Sequence, residues 1–582
     1  MQEIDDPIQD YANYFREQHQ KTVNEYFESL VRDSQVDERQ NVQTVAELRI
    51  LETQHAKGSS SRFRWRALRI FSILVVIGLV VLAIAQKGIY FLSFVPAAAL
   101  VFFITQKINA EISQLNNNLQ ELDKQVKKKS NEAWTQMAPL NALHTWDAAP
   151  RLFQSTCPQI QFDRYLTAQR LNDLQNTYGL APEFNNGRSL FATLSGTNNQ
   201  NPFVFARFKH HWMGTRTYTG SIVIHWTENQ RNSQGNWVTV QRSQTLTASS
   251  VHDYPEYRVQ TMLLFGHESA PDLSFSRTPS KLSGREDGAM TDWRKEHAVK
   301  KEEKQARKGV KRGDSQLTLM ANREFEALFN ATDRDHEVQF RLLFTALAQQ
   351  EMVKLLNDRG VGYGDDFYFS KYGKLNVVEP SHLQEMRFDG DPRIFQSLEL
   401  AQARKIFNEF HNEYFKALYF AFAPIWTIPL YRDKRSLPTE GINTRNQTSS
   451  NWEHEVMTNY IGEETFKHPG SVTQNILRTI ATNNSDGTLD VTVYAYGYTG
   501  TPRVDIYPVL GLDGNVHNVP VHWTEFIPVE RQSTVLMSSV QDNSLSSDSS
   551  ETFNQWSHAI QARGIDPSRV YVRNGLAAVI TA

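Results

Sequence analysis

The sequence predicts an α+β chain. A two-helix transmembrane hairpin continues into a cytoplasmic helical, coiled-coil-like stalk and carries a large mixed head containing antiparallel β-sheet. Three observations predict it. Two uncharged runs, residues 70–85 and 89–104, stand back to back across Gln86-Lys87-Gly88. Apolar residues at Ile108, Ile112, Leu115, Leu119, Leu122 and Val126 follow a heptad seam. Beyond residue 137, short stretches alternate apolar and polar residues between turn signals.

Composition sets the limits. The chain has 582 residues, with 61 Lys+Arg against 64 Asp+Glu, so its formal charge is −3. Hydrophobic residues are 40%, enough for sizeable cores and against wholesale disorder. Cys157 is the one cysteine, which excludes an intrachain disulfide and a thiolate zinc cluster. The balanced charge makes nucleic acid an unlikely partner.

Residues 1–66 form N-terminal helices, with an aromatic stripe at Tyr14, Phe15, Tyr26 and Phe27. Residues 67–106 form the hairpin, with spans at about 67–85 and 89–106. Arg62, Arg64, Arg66 and Arg69 precede it, and Lys107 and Lys124 follow it. The positive-inside rule then places both termini in the cytoplasm. Residues 107–136 are the stalk. Residues 137–280 are β-rich, with strands expected at 203–208, 221–226, 237–242 and 257–264. Residues 281–320 form a basic linker helix. Residues 321–432 are helical with one small hairpin around Lys371-Tyr372-Gly373, and residues 433–582 are again β-rich.

The search for chemistry is mostly negative. No P-loop, nucleophile elbow or zincin motif occurs. Gly360-Val361-Gly362-Tyr363-Gly364 lacks the third glycine of a dinucleotide fingerprint. No cofactor and no metal site is expected. The loose candidates are His210 and His211, His225 and His522 in an echoed His-Trp-Thr-Glu motif, Glu409 and Glu413, Asp365 with Asp366, and Asp389 with Asp391. The distinctive charged feature is the run 294–312, with nine basic residues, three glutamates and a local net of +6. Arg294, Lys295, Lys300, Lys301, Lys304, Arg307, Lys308, Lys311 and Arg312 could meet an anionic lipid surface or an acidic partner.

The expected function is a membrane-anchored cytoplasmic scaffold or adaptor that binds protein or lipid through its head. Its partners are then the bilayer and a protein or a second copy of itself. The alternative is a membrane-tethered enzyme, such as a hydrolase, with a site that no motif reveals.

Overall fold

The computed structural model describes residues 4–85, 91–280, 282–283, 300, 320, 322–331, 333–386, 390–434, 448–484, 488–539, 561 and 570–581. The chain divides into two compact units. One comprises Met1–His19, Trp146–Gly390 and Asn412–Ala582, and the other Gln20–Thr145 and Asp391–His411. In chain order the helices are α1 (Pro7–Asp10), α2 (Arg16–Ser34), α3 (Glu38–Ala85), α4 (Phe91–Ala142), α5 (Ala148–Thr156) and α6 (Ala168–Asn176). They continue with α7 (Arg323–Phe329), α8 (Glu337–Leu343), α9 (Ala346–Asn357), α10 (Leu400–Trp426), α11 (Asn451–Ile461) and α12 (Glu463–Phe466).

In the helical unit α3 and α4 run antiparallel. Lys129 pairs with Glu47 at 2.8 Å, and Gln136 donates to Thr44 at 3.0 Å. Ile108, Ile112 and Leu119 from the heptad seam are buried, as are Val45 and Leu48 of α3. Ile70, Phe71, Leu74 and Ile77 stand exposed on α3.

The transmembrane hairpin is corrected here. Among the described residues no helix is long and apolar enough to cross a membrane. Each uncharged run is 16 residues, about 24 Å of helix at ~1.5 Å per residue. A hydrocarbon core of ~30 Å needs about 20. The two-pass assignment and the integral-membrane location with cytoplasmic termini fall with it.

The other unit holds two antiparallel sheets. The seven-stranded sheet has the order β1-β2-β3-β4-β7-β6-β5. Its strands are β1 (Ile160–Phe162), β2 (Arg188–Asn198), β3 (Asn201–Arg231), β4 (Trp237–Gly266), β5 (Ser274–Arg277), β6 (Phe367–Tyr372) and β7 (Leu375–Pro380). The five-stranded sheet has the order β11-β12-β10-β9-β8. It uses β8 (Ile476–Asn483), β9 (Leu489–Leu510), β10 (Val516–Ser539), β11 (Tyr571–Arg573) and β12 (Leu576–Ile580).

Two hairpins outgrow their sheets. β3 pairs with β4 without a break from Phe203↔Phe265 to Arg231↔Trp237, and β9 pairs with β10 from Leu489↔Met537 to Leu510↔Val516. The expected short strands are therefore segments of much longer ones. Tyr218-Thr219-Gly220 looks like a turn, but it stays in the ladder because the second ribbon lies against it. A Cβ on Gly220 would collide with the Pro520 carbonyl, so only glycine permits that approach. Ile224, Leu246 and Val519 form the small core between the ribbons, with Ile222, Trp226, Ala248 and Val509 around it. His252 stacks on Trp523 at 3.6 Å, and its Nε2 lies 2.8 Å from Asp505 Oδ2. The echoed His-Trp-Thr-Glu motif lies on β3 in its first copy and on β10 in its second, on two different ribbons.

Helix α11 joins the two cores. Trp452 and Val456 enter the core of the seven-stranded sheet with Leu190, Val204 and Phe208. Met457 and Ile461 enter the core of the five-stranded sheet with Leu477, Val491, Val493 and Ala495. A helix covered on both sides has no solvent face, so its charges are buried as well. Glu453 accepts from the Leu166 amide at 2.8 Å and from Thr193, and lies 3.5 Å from Arg573. Glu455 accepts from Asn185 Nδ2 at 2.9 Å and lies 3.2 Å from Arg478. Burial raises the pKa of Glu453 and pushes Glu455 up to about 8, against the pull of their arginines.

Candidate binding cleft

Period-2 alternation gives β9 two faces. Val491, Val493 and Ala495 point into the core against α11, so Tyr494, Tyr496 and Tyr498 point out. Register then sets their neighbours: Arg478 lies opposite Tyr494, and Glu530 opposite Tyr496. His211 and Tyr257, paired across β3 and β4, complete an open cleft of about 880 Å³. Asn186, Ile476, Ile480 and Pro528 also line it. Gly497 lets the preceding loop close against β9, because a Cβ there would strike Asn475 and Ser471.

Aromatic rings dominate the floor. Tyr494 and Tyr496 lie nearly parallel, 11° apart, with centroids at 6.4 Å. His211 lies 5.1 Å from Tyr257 and 5.4 Å from Tyr498. Burial, and then His210, lowers the pKa of His211, so the ring is neutral. Its Nε2 is buried with no hydrogen-bond partner. Burial raises Tyr257, Tyr496 and Tyr498, which keeps the phenols protonated. Arg478 is tied down by Glu455 and by the Asn185 carbonyl. Glu530 is exposed at the rim. The cleft therefore offers flat apolar rings with hydroxyl donors, one fixed cation and one rim acid, Glu530, which accepts from Gln532 at 3.0 Å.

A smaller cleft of about 380 Å³ shares Thr479 and Ile480 of β8 with the first and holds Ser449 and His454. Ser449 Oγ is 2.9 Å from His454 Nε2, within reach of a nucleophile–base pair. However, His454 Nδ1 has no hydrogen-bond partner to orient the ring. Burial also holds the imidazole at about 4, which makes it a weak base near neutral pH.

The residues singled out from sequence are dispersed. His225 and His522 lie exposed on different ribbons, opposite Ser243 and Val504. Arg277 at 2.6 Å, the Ser280 amide and Ser283 occupy Asp365. His382 lies 2.6 Å from Asp366, and Tyr363 donates to Glu413 at 2.6 Å. Glu409 pairs loosely with Lys405 at 3.9 Å, and Arg393 holds Asp391. Asp389 lies outside the described residues. The Asp358 carboxylate accepts the Val361 and Gly362 amides at 3.2 and 2.6 Å, so an acid fills the place a phosphate would need. Cys157 is buried, and burial raises its thiol pKa far above the usual range. Among the described residues no group of three or more His, Cys, Asp or Glu is placed to hold a metal ion. Of the basic run, Lys300 is helical and exposed. Arg294, Lys295, Lys301, Lys304, Arg307, Lys308, Lys311 and Arg312 lie outside the described residues.

The tyrosine cleft itself was missed from sequence, although its signal was present. Tyrosine at every second position of a strand, with Ala495 and Gly497 between, marks an aromatic outer face. No family model, curated protein or solved structure matches this chain.

Proposed function

We propose that this protein is a binding protein, an adaptor that holds an extended segment of a partner polypeptide along β9 in the tyrosine-lined cleft. One observation carries the proposal: the 6.4 Å spacing of the Tyr494 and Tyr496 rings. An extended chain repeats on one face every two residues, about 6.6–6.8 Å. Side chains i and i+2 of such a segment would rest on successive rings. Tyrosine suits this use, since it gives large rigid contact area with a polar tip. Glu530 at the rim favours a basic side chain in the ligand. Against an enzyme stands the weak, unoriented His454 and the dispersal of the other titratable candidates.

Panning a random displayed peptide library against the full chain tests the proposal. Enriched peptides are expected to carry apolar side chains at alternate positions and to lose at least tenfold in affinity against Tyr496→Ala. Enrichment no better than on an unrelated protein, or equal affinity for Tyr496→Ala, overturns it.

A further inference from the structure

The two ribbons turn unlike faces to solvent. On both, one side is turned toward the other ribbon, and register and alternation identify the other. The outer face of the β3–β4 ribbon carries Thr217, Thr219, Ser221, Thr245, Thr247 and Ser249, all exposed, with exposed Val223 and Val251 set singly among them. Those hydroxyls need no partner beyond water.

The outer face of the β9–β10 ribbon is the opposite. Val504 is 50% exposed, Ile506 63%, Leu510 66% and Val516 64%, and Leu512 at the connecting turn is 76%. Pro502, Pro508, Asn518 and Pro520 share the face, and His522 is its only titratable group. No lysine, arginine, aspartate or glutamate interrupts it from 502 to 510 or from its start on β10 to 522. Isolated exposed apolar residues are ordinary, but a continuous uncharged strip on a projecting ribbon marks an interface.

We infer that this strip is a self-association surface, on which the β9–β10 ribbons of two copies pack outer face to outer face. Two features of the strip point to a second copy. The first is area. At these exposures the face offers on the order of 700 Å² per copy, close to the ~800 Å² per partner of a standard interface. The second is charge. The strip presents no charge for a charged partner to complement, and an uncharged face is complementary to itself about a two-fold axis. The packing mode already exists in the chain, since Val519 and Val509 on the reverse side pack face to face against the β3–β4 ribbon. The strip and the tyrosine row lie on the same face of β9, at 502–510 and at 494–498, and each proposal is tested by variants of its own residues.

Sedimentation equilibrium of the full chain tests the inference. The wild-type protein is expected to be a dimer at micromolar concentration. Ile506→Lys with Leu510→Lys is expected to weaken dimerisation at least 100-fold, and Val516→Glu alone at least tenfold. Thr219→Lys with Thr247→Lys on the β3–β4 ribbon should leave the dimer intact. All these side chains are exposed, and circular dichroism of each variant checks that it folds. A wild-type chain that stays monomeric at tens of micromolar overturns the inference. So does a dimer that survives both folded strip variants, or one broken equally by the Thr219/Thr247 pair.

Discussion

Helix α11 and the β9–β10 ribbon invert the usual distribution of side chains in opposite ways. The helix buries Glu453, His454 and Glu455 between two cores, and the ribbon leaves Val504, Ile506 and Leu510 in water. The buried carboxyl groups have partners inside the chain: main-chain amides, Asn185, Thr193, Arg478 and Arg573. The exposed aliphatics have none there. Burial of acidic side chains is thus a structural device in this protein, and exposure of apolar surface is where an outside partner is required.

Breaking the buried side should have the largest effect. Glu453→Ala would strand Arg573 and the Leu166 amide, and should cost about 3–5 kcal/mol in urea unfolding. Loss below about 1 kcal/mol would mean the network is not holding the sheets.

The next effect has the opposite sign. Lys371 on β6 is fully buried, with its Nζ donating to the Ser269 carbonyl at 3.0 Å, and burial lowers its pKa to about 7. The folded state then gives up this proton before the unfolded state does. Stability should rise with pH between about 7 and 10.5. Lys371→Met should remove that rise and stabilise the protein at pH 7 by a few kcal/mol, at most about 4. An unchanged pH slope in the variant would refute the assignment.

Glu455 titrates in the other direction. Its folded carboxyl keeps its proton up to about pH 8, while the unfolded one loses it near 4.5. Stability should therefore fall as pH rises across that window. Glu455→Gln should flatten this fall, with a difference of roughly 3–4 kcal/mol between pH 5 and 8 at most, by the ~1.36 kcal/mol per pH step. Urea titrations at pH 5 and pH 8 would measure it, and parallel slopes in both proteins would contradict it.

At the exposed end the expected cost in stability is small. Tyr496 is 42% exposed, so Tyr496→Ala should shift unfolding by no more than about 1 kcal/mol while weakening peptide binding at least tenfold. A large stability loss would make the tyrosine row a structural layer instead of a binding one.

The same contrast explains what the sequence could disclose. Alternation in 203–208 and 257–264 revealed β-structure, although residues 203–206 and 261–264 are buried on both faces. The length of the ribbons was hidden, because Tyr218-Thr219-Gly220 resembles a turn until a second ribbon lies on it. Helix α11 was illegible: Asn451-Trp452-Glu453-His454-Glu455 has no apolar stripe, since both its flanks are covered. The loose histidines and acids were visible but carried no distance information, and folding gave most of them local partners. The uncharged runs at 70–85 and 89–104 misled by composition, since lack of charge is not length.

The central claim is that the cleft on β9 binds an extended polypeptide. Its most direct test is the affinity of one library-selected peptide, measured by fluorescence anisotropy against the wild-type chain and against Tyr494→Ala with Tyr496→Ala. Saturable micromolar binding that weakens at least tenfold in a double variant of unchanged fold is the predicted result. Equal binding to both proteins would contradict it.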